Sequence, residues 1–532
     1  MTRVAPRPPS LSLAWFVSRT ISLLAGAGTV AAFAPLGWWP LALLALAVLF
    51  AQWHEADNWR DAAASGFAFG LGLFMTGVSW VYVSMHVYGE MAAPLAALAT
   101  LVFCCGLALF PALAGALTAR ITPRGPLRLL GACGSWVALD AARNLPFNGF
   151  PWLAIGYSQT DSPLAGLAPI AGVHGIALAL AVSASGLAAL VLRLRMHRHA
   201  RPARIRASPS HSRTALAISL AALSLPWIAG AAAGRLQWTV ATGEGLSVAL
   251  IQGNIAQDLK FEPAQYERTL EHYARAIEAT RARLVVLPET AVPRMATQVD
   301  PAFWQRVRSH ALSTGADVLL GVPTGDLSHR YYNSVVSLGT SPTQIYNKQH
   351  LVPLGEYIPA GFDWILAILH VPMSAFSTGA SDTQALAVAG ERVGVNICYE
   401  DAFGAEIVRA LPTASLLVNV SNMAWFGDSL APRQHLQMSR MRALETGRDM
   451  LRATNTGMTA IIHSDGTTQT LPPFAAGVLE GRAQGRQGMT PYARTGDAPA
   501  LLMALALACI AGLAAFATEA GRTIAGRLSR KR

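Results

Sequence analysis

Long apolar segments fill most of the first 235 residues of the chain and recur once near the C-terminus. A transmembrane helix needs about 20 consecutive apolar residues, and eight segments come near that length, although the second and fifth are short. They cover residues 18–34, 38–53, 62–84, 91–118, 126–142, 163–192, 214–233 and 498–517. The pattern predicts a multi-pass α-helical membrane domain of about eight transmembrane helices.

The composition agrees with a chain that is partly embedded in lipid. Hydrophobic residues make up 52% of the chain and charged residues only 13%, whereas ordinary soluble domains carry about 25% charged residues. The formal net charge is +11, which raises the question of nucleic-acid binding. The basic residues, however, cluster in short runs beside apolar segments, as in residues 193–213. Such runs are typical of cytoplasmic loops next to anionic lipid headgroups, so we expect no nucleic-acid partner.

The positions of the arginines predict the orientation of the chain. Arginines precede the first apolar segment, lie between the fourth and fifth and between the sixth and seventh, and follow the last. The loops 35–37 and 85–90 contain no lysine or arginine. Because basic loops stay in the cytoplasm, seven crossings place residues 235–495 outside it. The eighth crossing then returns the C-terminal tail to the cytoplasm.

The region between the seventh and eighth apolar segments has the sequence pattern of a layered α/β domain. Short β-rich runs at 247–251 and 284–287 alternate with helical stretches such as the polar, amphipathic run 263–282. Further strand candidates are 317–322, 333–338, 392–397 and 415–420. The predicted division is a transmembrane domain at 1–234, a catalytic domain at 235–495, and a last helix with a basic tail at 496–532.

Three polar groups that could carry chemistry each lie at or beyond the end of a predicted strand. Glu289 could act as a general base, and Lys348, in a chain whose cations are nearly all arginines, could donate to an oxyanion. Cys398 is the one cysteine outside the apolar segments, and a thiol needs a base or a cation to become a nucleophile. Taken singly, Glu289 could be a surface glutamate, Lys348 a solvated loop lysine and Cys398 a packed structural cysteine.

The three groups together resemble the motifs of the nitrilase, or carbon–nitrogen hydrolase, superfamily. Pro288-Glu289, Tyr346-Asn347-Lys348 and Cys398-Tyr399-Glu400 stand in the order and at the approximate separation of that superfamily's Glu-Lys-Cys triad. The resemblance implies an αββα sandwich for the catalytic domain.

A closer resemblance, to the apolipoprotein N-acyltransferase family, spans nearly the whole chain. The runs that carry it are 150–152, 156–159, 347–359, 397–400, 419–427, 434–445 and 490–497. One departure is Met423, where the family pattern leads us to expect an acidic residue. This leaves the triad untouched but could alter the edge of the pocket.

The resemblance implies transfer of a fatty acyl chain from a phospholipid to the free amine of an N-terminal S-diacylglyceryl-cysteine of a lipoprotein. Cys398 would be the nucleophile, Glu289 the general base and Lys348 the oxyanion donor. Glu356 would orient the lysine, and Tyr399 and Glu400 would shape the site. The resulting ping-pong reaction through a cysteine thioester needs no cofactor, and no metal-ligand spacing occurs in the sequence.

Aromatic and apolar residues near the site are candidates for lipid access. Trp152, in an outward-facing loop, either lines an access path or anchors the loop at the interface, and Trp425 is a further candidate. Trp364 and Ile365 lie in an apolar stretch, 362–376, which we expect to form a mobile arm that dips into the bilayer and keeps water from the thioester. The alternative is ordinary core packing.

Two other functions remain open at this stage. A membrane-tethered amidase would use the same triad, but one anchor would suffice for it. A scaffold or transporter with a ligand-binding nitrilase-like domain would not need a complete triad, and transporters usually place ionisable residues within their spans. For His350 and His435 the sequence favours hydrogen-bonded structural roles.

Replacement of Trp364 and Ile365 by serine tests the arm. If they admit lipid, the variant should lose more turnover with phospholipid donors than with a water-soluble ester, because only the lipid must pass the arm. Turnover is measured with both donors on the same preparation. An equal loss on both would contradict the arm.

Overall fold

The computed structural model describes residues 13–199, 209–359, 361, 375–381 and 385–529. Trp364 and Ile365 lie outside the described residues. The longer helices are α1 (Leu13–Thr29), α2 (Pro40–Glu55), α3 (Trp59–Gly77), α4 (Ala93–Ile121), α5 (Pro126–Ala142), α6 (Ala168–His199), α7 (Pro209–Ala233), α8 (Pro263–Glu278), α9 (Pro301–Thr314), α10 (Ala431–Thr446) and α11 (Ala498–Ser529).

Each apolar segment predicted to span the membrane is helical. Among the described residues, five helices are long and apolar enough to cross a bilayer, and a sixth is added if α3 and the segment Val81–Tyr88, bent by 56°, form one span. The five are Leu13–Ala32, Ala93–Ile121, Pro163–Met196, Arg213–Ala233 and Ala498–Thr518. Helices α2 and α5, with 16 and 17 residues, are shorter than the bilayer requires. Length and composition therefore account for five or six of the eight predicted spans.

The region after α7 is built from short strands. They are β1 (Val240–Ala241), β2 (Leu246–Gln252), β3 (Leu284–Val286), β4 (Asp317–Gly325), β5 (Tyr331–Gly339), β6 (Ile345–Asn347), β7 (Leu386–Val388), β8 (Glu391–Ile397), β9 (Leu416–Ser421), β10 (Met450–Thr454), β11 (Ala460–Ile462), β12 (Thr468–Thr470), β13 (Gly477–Ala483) and β14 (Arg486–Gln487). All six strand candidates from the sequence are strands.

Two six-stranded sheets form the centre of this domain. Their strand orders are β13-β2-β3-β4-β5-β6 and β12-β11-β10-β9-β8-β7. Buried aliphatic side chains such as Leu250, Val286, Val395 and Val418 form one core in which residues of both sheets meet. Because the neighbouring side chains of a strand point to opposite faces, the outer faces are apolar too and must be covered.

Helices cover both outer faces. On the first sheet, Tyr273 of α8 and Phe303 of α9 join a core with strand residues such as Val285. On the second, Leu436 of α10 joins a core with Leu417. The layers therefore run helix, sheet, sheet, helix, and the predicted αββα sandwich beside a helical membrane region is confirmed.

The sheets bring separate parts of the chain to one edge. In the first sheet β2, β3 and β4 run parallel, and in the second β8, β9 and β10 do. Residues that follow β3, β8 and β9 therefore leave the sheets at their carboxyl ends, where loops can carry functional groups.

Helix α10 also joins the sandwich to the membrane helices. Glu445 Oε1 accepts a hydrogen bond from the Val173 backbone N–H of α6 at 2.8 Å. Its carboxylate pairs with Arg442 at 3.0 Å, and that guanidinium donates to the Tyr157 hydroxyl at 3.2 Å. Both charged side chains are fully buried. If one of them were removed, water could not take its place as a partner for the other.

Glu445→Ala should lower the stability of the folded protein strongly. Removing one partner of a buried ion pair leaves an uncompensated charge and costs about 3–5 kcal/mol. Glu271→Ala is the matched control, because Glu271 pairs with Arg306 on the surface, where water replaces the partner. Thermal unfolding in detergent should show a drop of several degrees for the first variant and little change for the second. Equal shifts would contradict the role of the buried pair.

Candidate active site

The three residues of the predicted triad come together at the edge where the two sheets meet. Glu289 follows β3, Lys348 follows β6, and Cys398 follows β8. The Cys398 backbone has a φ of 54° and opens the 3₁₀ turn Cys398–Ala402. A left-handed conformation is costly for a non-glycine residue, and residues strained in this way cluster at functional sites. It turns the cysteine sharply out of its strand.

Lys348 is held between two carboxylates. Its Nζ lies 2.8 Å from Glu356 Oε2 and 3.4 Å from Glu289 Oε1, and only 1% of the residue is exposed. Asn333 Nδ2 donates to Glu289 Oε1 at 2.7 Å and to Glu356 Oε1 at 2.8 Å. The amide and the ammonium thus fix both carboxylates in one arrangement.

The second oxygen of each carboxylate is also bound. Glu289 Oε2 accepts from the Asn422 backbone N–H at 2.8 Å, and Glu356 Oε2 accepts from the Val352 backbone N–H at 2.9 Å. These backbone donors leave the two carboxyl groups little freedom to rotate, so their direction toward Lys348 is set by the fold.

Burial and charge oppose each other at the reacting groups. Burial raises the pKa of the Cys398 thiol, Glu289 raises it further, and Lys348 lowers it. For Lys348, burial lowers the pKa, but Glu356 and Glu289 outweigh it and leave the pKa above its ordinary value. The two carboxylates therefore favour the ammonium form of Lys348, and the thiol needs a base to become a thiolate.

Glu400 ties the loop that carries the lysine to the turn that carries the cysteine. Its carboxylate accepts backbone hydrogen bonds from Gln349 at 2.6 Å, His350 at 3.0 Å and Ile397 at 2.6 Å, and one from the Tyr346 hydroxyl at 2.9 Å. Burial raises the pKa of this carboxyl, although the backbone donors favour its ionised form. Four donors on one buried side chain make Glu400 a positioning residue.

Tyr399 faces the membrane region. Its hydroxyl donates to the Gly149 carbonyl at 2.6 Å, and its ring stacks on Trp152 with centroids 6.0 Å apart at 11°. Trp152 in turn contacts Trp80 at 5.5 Å. The predicted access residue Trp152 therefore lies against Tyr399, the residue that follows Cys398.

Trp425 lies further from this stack. It belongs to the turn Met423–Phe426 and contacts Tyr88, with ring centroids 6.2 Å apart. Its neighbour Phe426 contacts Trp80 at 4.8 Å. Trp425 is thus connected to Trp152 through its neighbour Phe426 and Trp80, and it lies on the side of the bent helix pair.

The two histidines lie in different surroundings. An Arg452 nitrogen lies 2.9 Å from His435 Nδ1, and a guanidinium can only donate, so the imidazole proton is on Nε2, 2.5 Å from Asp401 Oδ1. Burial and then Arg452 lower the pKa of His435. His350 places Nδ1 3.1 Å from Glu406 and Nε2 2.7 Å from the Asn148 carbonyl.

Sequence reasoning missed several groups that complete the site. Asn333 was within a predicted strand but was not singled out, and Lys260 and Arg452 were not considered. Lys260 is one of three lysines in the chain, and that scarcity was the one available signal. Among the described residues no cluster of three or more His, Cys, Asp or Glu side chains is arranged to hold a metal ion.

Known proteins match both parts of the chain. The model of the apolipoprotein N-acyltransferase N-terminal domain matches residues 25–186, and that of carbon–nitrogen hydrolases matches residues 247–484. Among solved structures, an amidase from a Nesterenkonia species is 18% identical with a TM-score of 0.37, over 49% of this chain and 97% of that chain.

Whole-length relatives are also found. The apolipoprotein N-acyltransferase of Nitrosomonas europaea is 44% identical over 92% of this chain and 96% of its own. The enzyme of the same name from Ralstonia nicotianae is 42% identical over 90% of each chain. At this identity and coverage, the chain belongs to the apolipoprotein N-acyltransferase family.

Proposed function

We propose that this protein moves a fatty acyl chain from a phospholipid to the N-terminal amine of S-diacylglyceryl-cysteine in lipoproteins, by way of a thioester on Cys398. The observation that carries the proposal is the buried Lys348, fixed between Glu289 and Glu356 beside a cysteine in a left-handed conformation. Family membership supports the acyltransferase activity, and the geometry of the three residues supports the roles proposed for them.

The first half-reaction loads the enzyme. Glu289 takes the proton of the Cys398 thiol, and the sulfur attacks the ester carbonyl of the phospholipid. The negative charge that develops on the carbonyl oxygen is stabilised by Lys348 and by the backbone N–H after Cys398. The carbon–oxygen bond then breaks, Glu289 returns the proton to the glycerol oxygen, and a lysophospholipid leaves.

The second half-reaction unloads it. The lipoprotein amine attacks the thioester carbonyl, Lys348 again stabilises the oxyanion, and Glu289 accepts a proton from the amine. The carbon–sulfur bond breaks, an amide remains on the lipoprotein, and the proton returns to Cys398. Each group used in the first half-reaction is used again, so the site needs no further acid or base.

The thioester must be kept from water between the two steps. The aromatic cluster of Trp80, Phe150, Trp152, Phe426 and Tyr399 lies between the nucleophile turn and the membrane helices. Trp80, Trp152 and Tyr399 share one buried apolar core with the membrane helices. An apolar wall of this kind excludes water and suits the acyl chain of a lipid.

The charge pattern supports a position for the site in the cell. Arginine-rich loops belong in the cytoplasm, so we place residues 235–495 in the periplasm of a bacterial inner membrane. In that arrangement the apolar cluster lies at the periplasmic surface of the inner membrane, where phospholipid acyl chains and lipid-modified N-termini are both present.

Glu356, Tyr399 and Glu400 act by positioning Lys348 and the nucleophile turn.

Intact-protein mass spectrometry tests the thioester. Purified protein in phospholipid micelles should gain the mass of one fatty acyl chain, and Cys398→Ala should not, because the nucleophile is gone. A diacylglyceryl-cysteine peptide should discharge the adduct with formation of the acylated peptide. A folded wild type that never gains the adduct but hydrolyses small amides would favour an amidase instead.

Substitution of the proposed base should slow loading. Glu289→Gln removes the proton acceptor but keeps a similar shape, and the rate of acyl-enzyme formation should fall by about 10²–10⁴-fold. The loss should shrink as the pH rises, because the raised thiol pKa makes thiolate scarce near neutrality and increasingly available in alkali. Glu391→Gln, at the start of the strand that Cys398 follows, is the control and should load normally. A pH-independent loss in Glu289→Gln would contradict its role as base.

A further inference from the structure

A second buried lysine lies beside the triad, and the reaction described so far does not use it. Lys260 follows β2, is 3% exposed, and donates from Nζ to the backbone carbonyl of Glu289 at 3.2 Å. Within the described part of the chain this is its one hydrogen bond, although an ammonium has three N–H donors. A buried ammonium so sparsely bonded costs solvation that a neutral side chain in the same place would avoid.

The charges of the site show what this ammonium offsets. Glu289 and Glu356 both bind Lys348, so two negative charges face one positive charge. When the thiol proton passes to Glu289, a negative charge moves to sulfur and the sum does not change. The site is therefore one positive charge short before, during and after thiolate formation.

The other buried cation near the cysteine is already paired. Arg452 donates to Asp401 at 2.9 Å and to Asn419 at 2.8 Å. Lys260, in contrast, binds a carbonyl and no carboxylate among the described residues. Its charge is therefore available to the triad rather than neutralised by a partner of its own.

The loop that carries Lys260 is fixed in place. The Asn254 and Ile255 backbone N–H groups donate to the backbone carbonyl and to Oδ1 of Asn455, both at 2.9 Å, and the Gln257 side chain accepts from Asn422 Nδ2 at 2.8 Å. Asn422 also donates to the Glu289 carboxylate. A single network thus positions both the base and the second lysine, as preorganised electrostatic stabilisation requires.

We propose that Lys260 is a second cation of this site, whose ammonium offsets the charge deficit of the triad and so stabilises the Cys398 thiolate. It is a positioning residue of an electrostatic kind and acts through the cysteine. The inference rests on the proposed function, since it takes Cys398 as the nucleophile.

The electrostatic coupling of the two residues agrees with this role. Burial lowers the pKa of Lys260 to about 8, while Glu289 and Cys398 raise it. The side chain is thus largely protonated near neutral pH. Because the interaction of two charges is mutual, a thiolate that favours the ammonium is itself stabilised by the ammonium.

Alkylation of Cys398 by iodoacetamide tests the inference without any acyl transfer. The full-length protein in detergent is treated at about pH 7, and modification of the Cys398 peptide is followed by mass spectrometry. Lys260→Gln keeps a donor for the Glu289 carbonyl but removes the charge. Alkylation should slow by about tenfold or more, because losing a neighbouring opposite charge shifts a pKa by about one unit or more. Lys260→Arg keeps the charge and should stay within about threefold of wild type.

The outcomes separate the two proposals. If folded Lys260→Gln is alkylated at the wild-type rate, or if Lys260→Gln and Lys260→Arg are slowed equally, the charge of Lys260 does not matter. Either result would overturn the inference about Lys260 but leave the proposed function intact. A wild-type Cys398 that resists alkylation would overturn the nucleophile and the inference with it. Thermal unfolding of each variant in detergent checks that a slow alkylation rate comes from a folded protein. If Lys260→Gln does not fold, Lys260→Met replaces it. Folded Lys260→Met should then be alkylated slowly and Lys260→Arg fast.

Discussion

A buried ammonium held between two carboxylates organises this site. Lys348 lies 2.8 Å from Glu356 and 3.4 Å from Glu289, and burial makes each of these charges dependent on the others. Asn333, which bridges both carboxylates, adds neutral donors without adding charge. The remaining features, from the strained cysteine backbone to the second lysine, make chemical sense only around this arrangement.

The double sheet brings these groups together. They come from three separate segments: Glu289 follows β3, Lys348 and Glu356 follow β6, and Cys398 follows β8. Glu400 shows how the sandwich does this, because its one carboxylate binds the backbone on both sides of the site. A displacement of either segment would break hydrogen bonds that are buried and have no water to replace them.

The sequence predicted those parts of the structure that depend on local pattern. Apolar runs gave the helices and most of the strands, and the three motifs gave Glu289, Lys348 and Cys398. Hydropathy alone could not give the helical lengths of α2 and α5, which at 16 and 17 residues fall below the roughly 20 residues of a typical span. The contacts of Asn333 and Lys260 depend on strand register and on the path of a loop, so no local pattern predicts them. The scarcity of lysine was the one signal that pointed toward Lys260.

The membrane domain takes part in the geometry of the site as well as anchoring it. Tyr399 binds the Gly149 carbonyl, and His350 lies 2.7 Å from that of Asn148. The loop that supplies these carbonyls is held by Arg143, which donates to the Phe150 and Trp152 carbonyls. Residues adjacent to Cys398 and close to Lys348 are thus bonded to a loop shaped within the membrane region. Simple tethering of the domain would not require such bonds, whereas they hold the turn that carries Cys398 in a fixed orientation to the membrane helices.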